Sequence, residues 1–460
     1  MRLNIAAASL VTLLPLAPGI AAGQAPIVPP SPAAPIVIDP RTPPPPTIPS
    51  GPEPVVPIPV PETGRPAKTF DIRPSIGVSE EYSDNFNQTP TNKVSNFRSA
   101  VIPGLRVLVD LGLLTGQAAY YPTVFYDSSL DKADVNHAFS GQLTWQALPR
   151  LKLSASEVFT QGDEPSQADR LSLRTGRQQF ISNLLSLTGD YVFDPYAVQG
   201  YYHLSTFSSA GELTVTQTPG ANASFTFLKS NRLTLGYGYL DSRTTSDIPG
   251  NDSTITGHQV TGTVSRDVTR DLTAGITAVY AVREEQKATG NTDLTRKSVS
   301  LFVNYVVPDL VIQGNIGVVQ FEGGSLSGRP LLTTDSTISY YLGPAVLGLR
   351  LERGFSETFQ QGQNFGIVET SSISGSVAYK FTPLLSGLIA GGYRENKQTG
   401  EGGGQAGRTD KVISAGAHIT YQIFRWLSAS LDYTYTDLTS SNSLNSYVEN
   451  LARAGLTASF

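Results

Sequence analysis

The chain ends in N-L-A-R-A-G-L-T-A-S-F, residues Asn450 to Phe460, and these residues alternate in chemical character. Side chains in an extended strand point alternately to two faces. One face therefore carries Phe460, Ala458, Leu456, Ala454 and Ala452, and the other carries Ser459, Thr457, Gly455 and Arg453. An apolar face backed by a polar face is typical of a strand that separates lipid from a water-filled lumen. The stretch predicts the closing strand of a membrane-spanning barrel, with Phe460 as its insertion signal.

Segments of about ten residues with the same alternation recur from Phe70 onward, and helical spacing fits none of them. Compact turns alternate along the chain with longer polar stretches; examples of the turns are Leu148-Pro149-Arg150 and Asp194-Pro195. The longer stretches are Gly162 to Arg177, Thr244 to Thr256, Glu285 to Arg296 and Asn396 to Asp410. The sequence therefore predicts an all-β fold, a large antiparallel transmembrane β-barrel of about 18–20 strands over residues 70–460. Whether a loop such as Gly162 to Arg177 folds into the lumen stays open at this point.

The N-terminal part of the chain predicts export and a tether. Arg2 precedes an apolar run, small residues follow at positions 21–23, and residues 1–23 are predicted to be a signal peptide. Residues 24–69 hold more than half of the 32 prolines and predict a disordered periplasmic segment that favours extended polyproline conformations. Residues 26–66 either act as a spacer or docking strip for the cell wall or a periplasmic partner, or form a leader with no partner.

Composition excludes several classes of function. The chain has no cysteine, which removes thiol catalysis and cysteine metal sites. Its net charge is −5 without a basic stripe, so we expect no nucleic-acid partner. The four histidines lack metal-ligand spacing. We expect no metal, no cofactor and no catalytic site, although the abundant serines leave an embedded hydrolase open as an alternative.

Alternation also predicts which charges face the lumen, because an Arg or Lys that faces lipid at mid-membrane depth costs about 2–4 kcal/mol. The predicted pore-lining residues are Arg98, Arg106, Asp190, Arg283, Arg350, Glu352, Lys380, Asp432 and Arg453. Basic residues outnumber acidic ones in this set, which favours at most a weak preference for anions. The alternative is that these residues hydrate the wall and pair with acids. The strand around Glu157 fits the alternation badly.

One segment near the start of the predicted barrel resembles a known family. Gly77-Val78-Ser79-Glu80-Glu81-Tyr82-Ser83-Asp84-Asn85-Phe86, followed by Thr89-Pro90-Thr91-Asn92-Lys93, Ser95-Asn96-Phe97 and Ile102-Pro103-Gly104-Leu105, resembles the opening of the putative beta-barrel porin 2 family. Phe424-Arg425-Trp426-Leu427-Ser428 carries the likeness further along the chain. The resemblance implies an outer-membrane barrel, and several members are associated with the production and export of capsule or exopolysaccharide. The family has no established catalytic motif, so it supplies no site residues.

These observations favour a non-enzymatic channel in the outer membrane of a Gram-negative bacterium, with its N-terminal segment in the periplasm. Its lumen would pass hydrophilic solutes and, as the resemblance implies, an exported polysaccharide. The expected partners are outer-membrane lipids, the barrel-assembly machinery and periplasmic polysaccharide export proteins. The alternatives are a structural or adhesion barrel plugged by its loops, and a secreted β protein.

Overall fold

Twenty strands form one antiparallel sheet in the computed structural model of the chain. The structure describes residues 70–165, 171–173, 176–228, 230–248, 250–287, 290–323, 328–358, 366–399 and 407–460. The strands are β1 Phe70–Ser83, β2 Asn96–Asp110, β3 Leu114–Asp127, β4 Lys132–Leu148, β5 Leu151–Gly162, β6 Phe180–Phe193, β7 Tyr196–Ser209, β8 Glu212–Phe227, β9 Asn231–Ser246, β10 Ser253–Asp267, β11 Leu272–Lys287, β12 Gly290–Val307, β13 Leu310–Glu322, β14 Leu331–Leu342, β15 Ala345–Glu357, β16 Ile367–Lys380, β17 Leu385–Gln398, β18 Thr409–Phe424, β19 Leu427–Ser440 and β20 Tyr447–Ser459. The predicted fold class is confirmed.

The sheet closes on itself through its first and last strands. Each strand pairs with its neighbour in sequence, and β1 also pairs with β20 from Ser75 opposite Ser459 to Ser83 opposite Leu451. The backbone N–H of Phe460 donates to the carbonyl oxygen of Pro74 at 3.0 Å and extends this seam by one residue. Closure pairs the backbone groups that an open sheet would leave free at its edges, which a lipid environment requires.

The two faces of the wall differ in chemistry, as the alternation predicts. Val78 of β1 lies opposite Val101 on one side and Leu456 on the other, and all three side chains are close to half exposed on the outer surface. The next position, Ser79, faces the lumen opposite Ala100 and Gly455. Paired residues share a face of a sheet, so the register carries this outer apolar and inner polar division around the cylinder.

Aromatic rings encircle one end of the barrel. Tyr196 stacks between Phe193 and Phe225, with centroid separations of 5.5 and 5.0 Å. Further along this rim, Trp426 stacks on Phe424 at 5.7 Å and on Phe460 at 6.4 Å. These residues adjoin the compact turns, and such belts are typical of the boundary between a membrane and water.

Connections at the opposite end vary more than the sequence predicts. β5 ends at Gly162 and β6 begins only at Phe180, whereas Glu285 to Arg296 is mostly strand, because β11 continues to Lys287 and β12 begins at Gly290. Polar residues there continue the strands as a paired hairpin, so polarity alone misplaces the loop. None of the helices in the described residues is long and apolar enough to cross a bilayer. The predicted segments 1–23 and 24–69 lie outside the described residues.

Candidate functional site

The lumen is the candidate site, because polar side chains from all parts of the sheet converge there. All nine predicted pore-lining residues occupy register positions opposite to the outer apolar face, as Arg98 does between the exposed Phe97 and Ser99. Arg98 and Arg283 are buried near the ends of their strands far from the compact turns, and Lys380 is exposed beside a compact turn. That these residues line a path for solute stays a prediction.

Arg98 is held by two carboxylates and two aromatic rings. Its Nε lies 2.7 Å from Asp127 and its Nη2 lies 2.6 Å from Asp163, and only 9% of its side chain is exposed. The guanidinium carbon lies 3.9 Å from the ring centroid of Phe125 and 5.1 Å from that of Phe86. Burial raises the pKa of Asp163, but the hydrogen bond and charge of Arg98 outweigh it and hold that pKa below its usual value.

A second cluster holds the seam between β1 and β20. Arg453 of β20 donates to Glu81 of β1, and the two residues are direct neighbours in the register. Ser83 donates to Glu449 at 2.7 Å, and Asp84 accepts from the side-chain amide of Asn450 at 2.7 Å. These side-chain contacts reinforce the backbone pairing at the point where the ends of the barrel wall meet.

The connection from β5 to β6 comprises residues 163–179 and is here called the crossing loop. It contacts the seam cluster through Arg177. Its Arg177 lies 2.6 Å from Glu164 and 3.4 Å from Glu81, and it donates to the backbone oxygen of Phe86 at 3.2 Å. The guanidinium carbon of Arg177 also lies 4.2 Å from the centroid of the Phe86 ring. One side of the crossing loop is therefore fixed to β1 and to the β1–β2 connection.

The other anchor of the crossing loop lies on β16 and β17, opposite the strand that the loop enters. Leu171 and Leu173 pack in a buried cluster with Val368 of β16. Asn396 of β17 donates to the carbonyl oxygen of Leu171, and Arg408 donates to that of Leu173 at 2.9 Å. In a closed ring of twenty strands, β16 lies ten strands from β6, directly opposite. The described residues Leu171 and Leu173 of the crossing loop therefore contact the wall opposite the strand that the loop enters.

A third cluster occupies the wall between β10 and β15. Glu357 lies 2.8 Å from Arg296 and 3.5 Å from Arg283, and Arg296 also donates to Gln259 at 3.1 Å. Apolar side chains pack nearby in a buried cluster that includes Leu240, Ile255, Leu294, Val319, Phe321 and Ile367. The lumen is thus most densely packed toward the end where the long loops emerge.

Most predicted charges in the remaining lumen have partners. Arg350 lies 3.3 Å from Asp335 and 3.8 Å from Glu352. Arg106 donates to Gln117 at 3.0 Å, and His418 contacts Asp432. Asp190 accepts from Gln199 at 2.7 Å and lies 3.6 Å from Lys152. The acids that pair with the predicted arginines offset the basic excess of the predicted set. Each of four predicted residues contacts an acidic side chain, as the alternative interpretation of ion pairing expects: Arg98, Arg283, Arg350 and Arg453.

The inner wall from β8 to β11 is built from hydroxyl groups. Cross-strand pairs join Thr216 to Ser242 at 2.7 Å, Thr214 to Thr244 at 2.9 Å, Ser224 to Thr234 at 3.0 Å and Thr263 to Thr277 at 3.1 Å. Hydroxyl groups donate and accept hydrogen bonds without charge. This sector therefore offers a neutral hydrophilic surface to the lumen.

Sequence reasoning missed the acids that complete the clusters. Glu81, Asp127 and Asp335 occupy inward positions of strands, so the alternation rule could have found them. Alternation puts Glu357, the last residue of β15, on the face of Leu349 and Leu351, so the rule would have missed its contacts with Arg283 and Arg296. Asp163, Glu164 and Arg177 could not be found in this way, because they lie in a loop that carries no alternation. Among the described residues, no group of acidic residues and histidines is arranged to hold a metal ion.

Comparisons with solved structures find proteins of low sequence identity, with TM-scores below 0.5 for the three described here. The unliganded ferric citrate transporter FecA is 13% identical, with 86% of this chain and 79% of that chain covered and a TM-score of 0.49. A BenF-like porin from Pseudomonas fluorescens Pf-5 is 11% identical, with 85% and 99% covered and a TM-score of 0.39. OccAB3 from Acinetobacter baumannii is 13% identical, with 85% and 99% covered and a TM-score of 0.36.

No curated protein matches the sequence. A family model does match, over the C-terminal quarter of the chain and not over the opening segment from Gly77 to Leu105. This part contains the Phe424–Ser428 segment. Residues 345–460, from β15 to the end, match the family described as putative beta-barrel porin 2, which confirms the resemblance.

Proposed function

We propose that this chain is a non-enzymatic channel of the outer membrane that passes hydrophilic solutes along its lumen. The observation that carries the proposal is the closed cylinder of twenty strands with an apolar outside and a polar inside. A barrel of this size encloses more space than its own wall side chains fill. The compact turns would face the periplasm, and the N-terminal segment would lie on that side.

The crossing loop supplies the selective element of this channel. It joins β5 to β6 and is anchored to β1 and to β16, the second of which lies opposite β6, so a solute must pass beside it. The charges near it are paired, and the wall from β8 to β11 presents hydroxyl groups, so this lumen favours neutral hydrophilic solutes over ions of either sign. A role in exopolysaccharide export fits that wall chemistry and the family resemblance. Residues 26–66 would then contact a periplasmic export partner or the cell wall.

Swelling of proteoliposomes tests the channel directly. The purified full chain is reconstituted, and the vesicles are diluted into neutral sugars of increasing size. We expect swelling with small sugars and a steep loss with size, since the crossing loop limits the passage. Absence of swelling with every sugar, in protein that is folded by circular dichroism, would contradict channel function.

A loop-plugged structural barrel is the second candidate, and the buried anchors of the crossing loop favour it. The Arg177→Ala/Leu173→Ala variant separates the two candidates. If the native chain admits no sugar while this variant does, the native barrel is plugged. The export role is tested in cells that lack this chain, where surface polysaccharide should fall and should return when the chain is supplied.

A further inference from the structure

Two tyrosine rings lie against the inner wall of the barrel over glycines. A Cβ atom on Gly220 of β8 would lie 2.2 Å from Cζ of Tyr201 of β7, and one on Gly238 of β9 would lie 2.8 Å from its hydroxyl oxygen. In the same way, a Cβ atom on Gly104 of β2 would lie 2.6 Å from Cε1 of Tyr121 of β3. Both tyrosines occupy inward positions and are partly exposed. Each ring therefore fills the space that a side chain at the glycine would take, and its other side is turned toward the lumen.

The two rings lie in the half of the barrel near the compact turns. Tyr121 is the seventh residue after Leu114, where β3 leaves its compact turn. Tyr201 is the fifth residue after Tyr196 at the start of β7. At about 3.3 Å per residue and a tilt of about 40°, the rings lie roughly 13–18 Å from that rim. Val368, which contacts the crossing loop, is the second of the 14 residues of β16, so it lies roughly 30 Å from the rim by the same measure. The rings are therefore between the crossing loop and the compact-turn opening.

A row of polar side chains joins the two strands that carry these rings. The row, here called the polar row, consists of direct neighbours in the register from β3 to β7: Gln117, Gln142, Ser156, Ser186 and His203. Gln142 and Ser156 are exposed, the other three are partly exposed, and the row contains no acidic side chain, lysine or arginine. Neighbouring strands lie about 4.8 Å apart, so β3 and β7 are separated by about 19 Å along the wall. That distance suits a short oligosaccharide better than a single sugar.

Hydrogen-bonding groups flank the ring of Tyr201. Asn222 of β8 donates to the side-chain oxygen of Gln199 at 3.0 Å, and Gln199 donates to Asp190 at 2.7 Å. On the other side, the ring centroid of His203 lies 5.1 Å from that of Tyr201. An aromatic face with amide and hydroxyl groups at its edge suits a pyranose, whose C–H groups pack on the ring and whose hydroxyl groups point to the rim.

We propose that Tyr121 and Tyr201 hold a neutral oligosaccharide along the inner wall from β3 to β7, on the compact-turn side of the crossing loop. The proposal rests on the proposed function, because it names the class of solute that the lumen of the channel binds. Two sugar units pack their C–H faces on the two rings. The hydroxyl groups of the units between them form hydrogen bonds with the polar row, whose uncharged amides and hydroxyls both donate and accept.

An aromatic ring over a glycine can also serve packing alone, and Phe302 of β12 supplies the comparison. A Cβ atom on Gly275 of β11 would lie 2.5 Å from Cζ of Phe302, which is inward and five residues before Val307 at the compact turn. On the wall beside it, Thr277 is only 4% exposed and is bonded to Thr263 at 3.1 Å. Phe302→Ala therefore removes the same kind of packing at a place where the neighbouring hydroxyl is buried and already paired.

Titration calorimetry of the purified full chain tests the subsite without requiring conductance. The probes are maltotetraose and cellotetraose, two neutral tetrasaccharides of different linkage, and the detergent carries no sugar headgroup. We expect the native chain to bind at least one of them more tightly than it binds glucose. Tyr121→Ala and Tyr201→Ala should each raise the Kd about tenfold, since each removes one stacking surface. Tyr201→Phe keeps the ring and should stay within about twofold of the native Kd, as should Phe302→Ala.

Circular dichroism checks that each variant is folded, and either alanine variant suffices if the other does not fold. Failure of both tetrasaccharides to bind the native chain, or an equal loss of affinity in Phe302→Ala, would overturn the proposal. The swelling assay separates this result from the channel itself. A chain that binds as expected but gives no swelling contradicts the channel and supports the subsite, whereas a chain that swells without binding either tetrasaccharide contradicts the subsite alone.

Discussion

Arg98 illustrates how individual residues stabilise the lumen. Its guanidinium bridges Asp127 on β3 and Asp163 in the crossing loop while its flat face covers Phe125. A planar fork of five donors suits two carboxylates better than a lysine ammonium would. Removal of such a buried partner leaves the opposing charges unpaired, and that cost exceeds the net gain of the pair itself.

Arg98→Met should destabilise the barrel by about 3–5 kcal/mol, because Asp127 and Asp163 would both lose their main partner. Unfolding by urea in lipid vesicles, followed by tryptophan fluorescence, measures the change. Arg243→Met is the matched control: Arg243 pairs with Asp241 but is 69% exposed, so its loss should cost about 1 kcal/mol or less. Equal effects of the two substitutions would contradict a structural role for the buried cluster.

Phe460 is predicted to direct insertion and also belongs to the aromatic rim through Trp426. Deletion of Phe460 should lower the amount of protein in the outer membrane, because the chain would lose the terminal aromatic residue that the assembly machinery recognises. Quantitative immunoblots of membrane fractions give the readout, with deletion of the outward residue Leu444 in the β19–β20 connection as a control. Normal membrane levels without Phe460 would show that the terminal residue is dispensable.

At the scale of elements, the strands and the crossing loop differ in how far sequence can predict them. Strands such as β19 and β20 follow a period of two. In β19, the apolar Leu431 and the charged Asp432 are enough to assign the outer and the inner face. The crossing loop has no period, and its path depends on contacts with β16 and β17, which are distant in sequence. The period of two therefore predicts which face of a strand is inward, whereas nothing in the sequence of the crossing loop predicts its contacts with β16 and β17.

Release of the crossing loop should raise conductance. In Arg177→Ala/Leu173→Ala, the loop loses its contacts with Glu81 and Glu449 at the seam and the apolar contact at Val368. Ile248→Ser in the exposed β9–β10 connection serves as the control, because that side chain is exposed and lies in a different loop. Planar-bilayer recordings should show larger single-channel steps for the double variant only. Unchanged steps would mean that the loop does not limit the passage.

Attachment of the crossing loop should weaken in acid. The folded-state pKa of Asp163 lies below the unfolded value of about 3.9, so its stabilising contribution is present above that value and is lost as pH falls through the folded pKa. Hydrogen exchange of the crossing loop should therefore stay slow from neutral pH to about pH 4 and accelerate below it, after correction for intrinsic exchange. Asp163→Asn should exchange faster at neutral pH and depend less on acid. Identical profiles would contradict the role of Asp163.

At the scale of the whole molecule, closure and two-faced strands make one cylinder with an apolar outer and a polar inner surface from a chain of near-neutral mean hydropathy. Sequence alternation predicted the cylinder, its strand number and the inward side of nine charged residues. It could not predict which acids meet Arg98 or Arg283, because ion pairs across β2, β3 and the crossing loop depend on register and loop path.

The most direct test of the central claim, a continuous aqueous lumen narrowed by the crossing loop, is single-channel recording of the full chain beside its loop-released variant. The native protein is predicted to give steady openings, and Arg177→Ala/Leu173→Ala is predicted to give larger ones. In both proteins the conductance should be the same at positive and negative voltage. Folded protein that gives no openings in either form would contradict it.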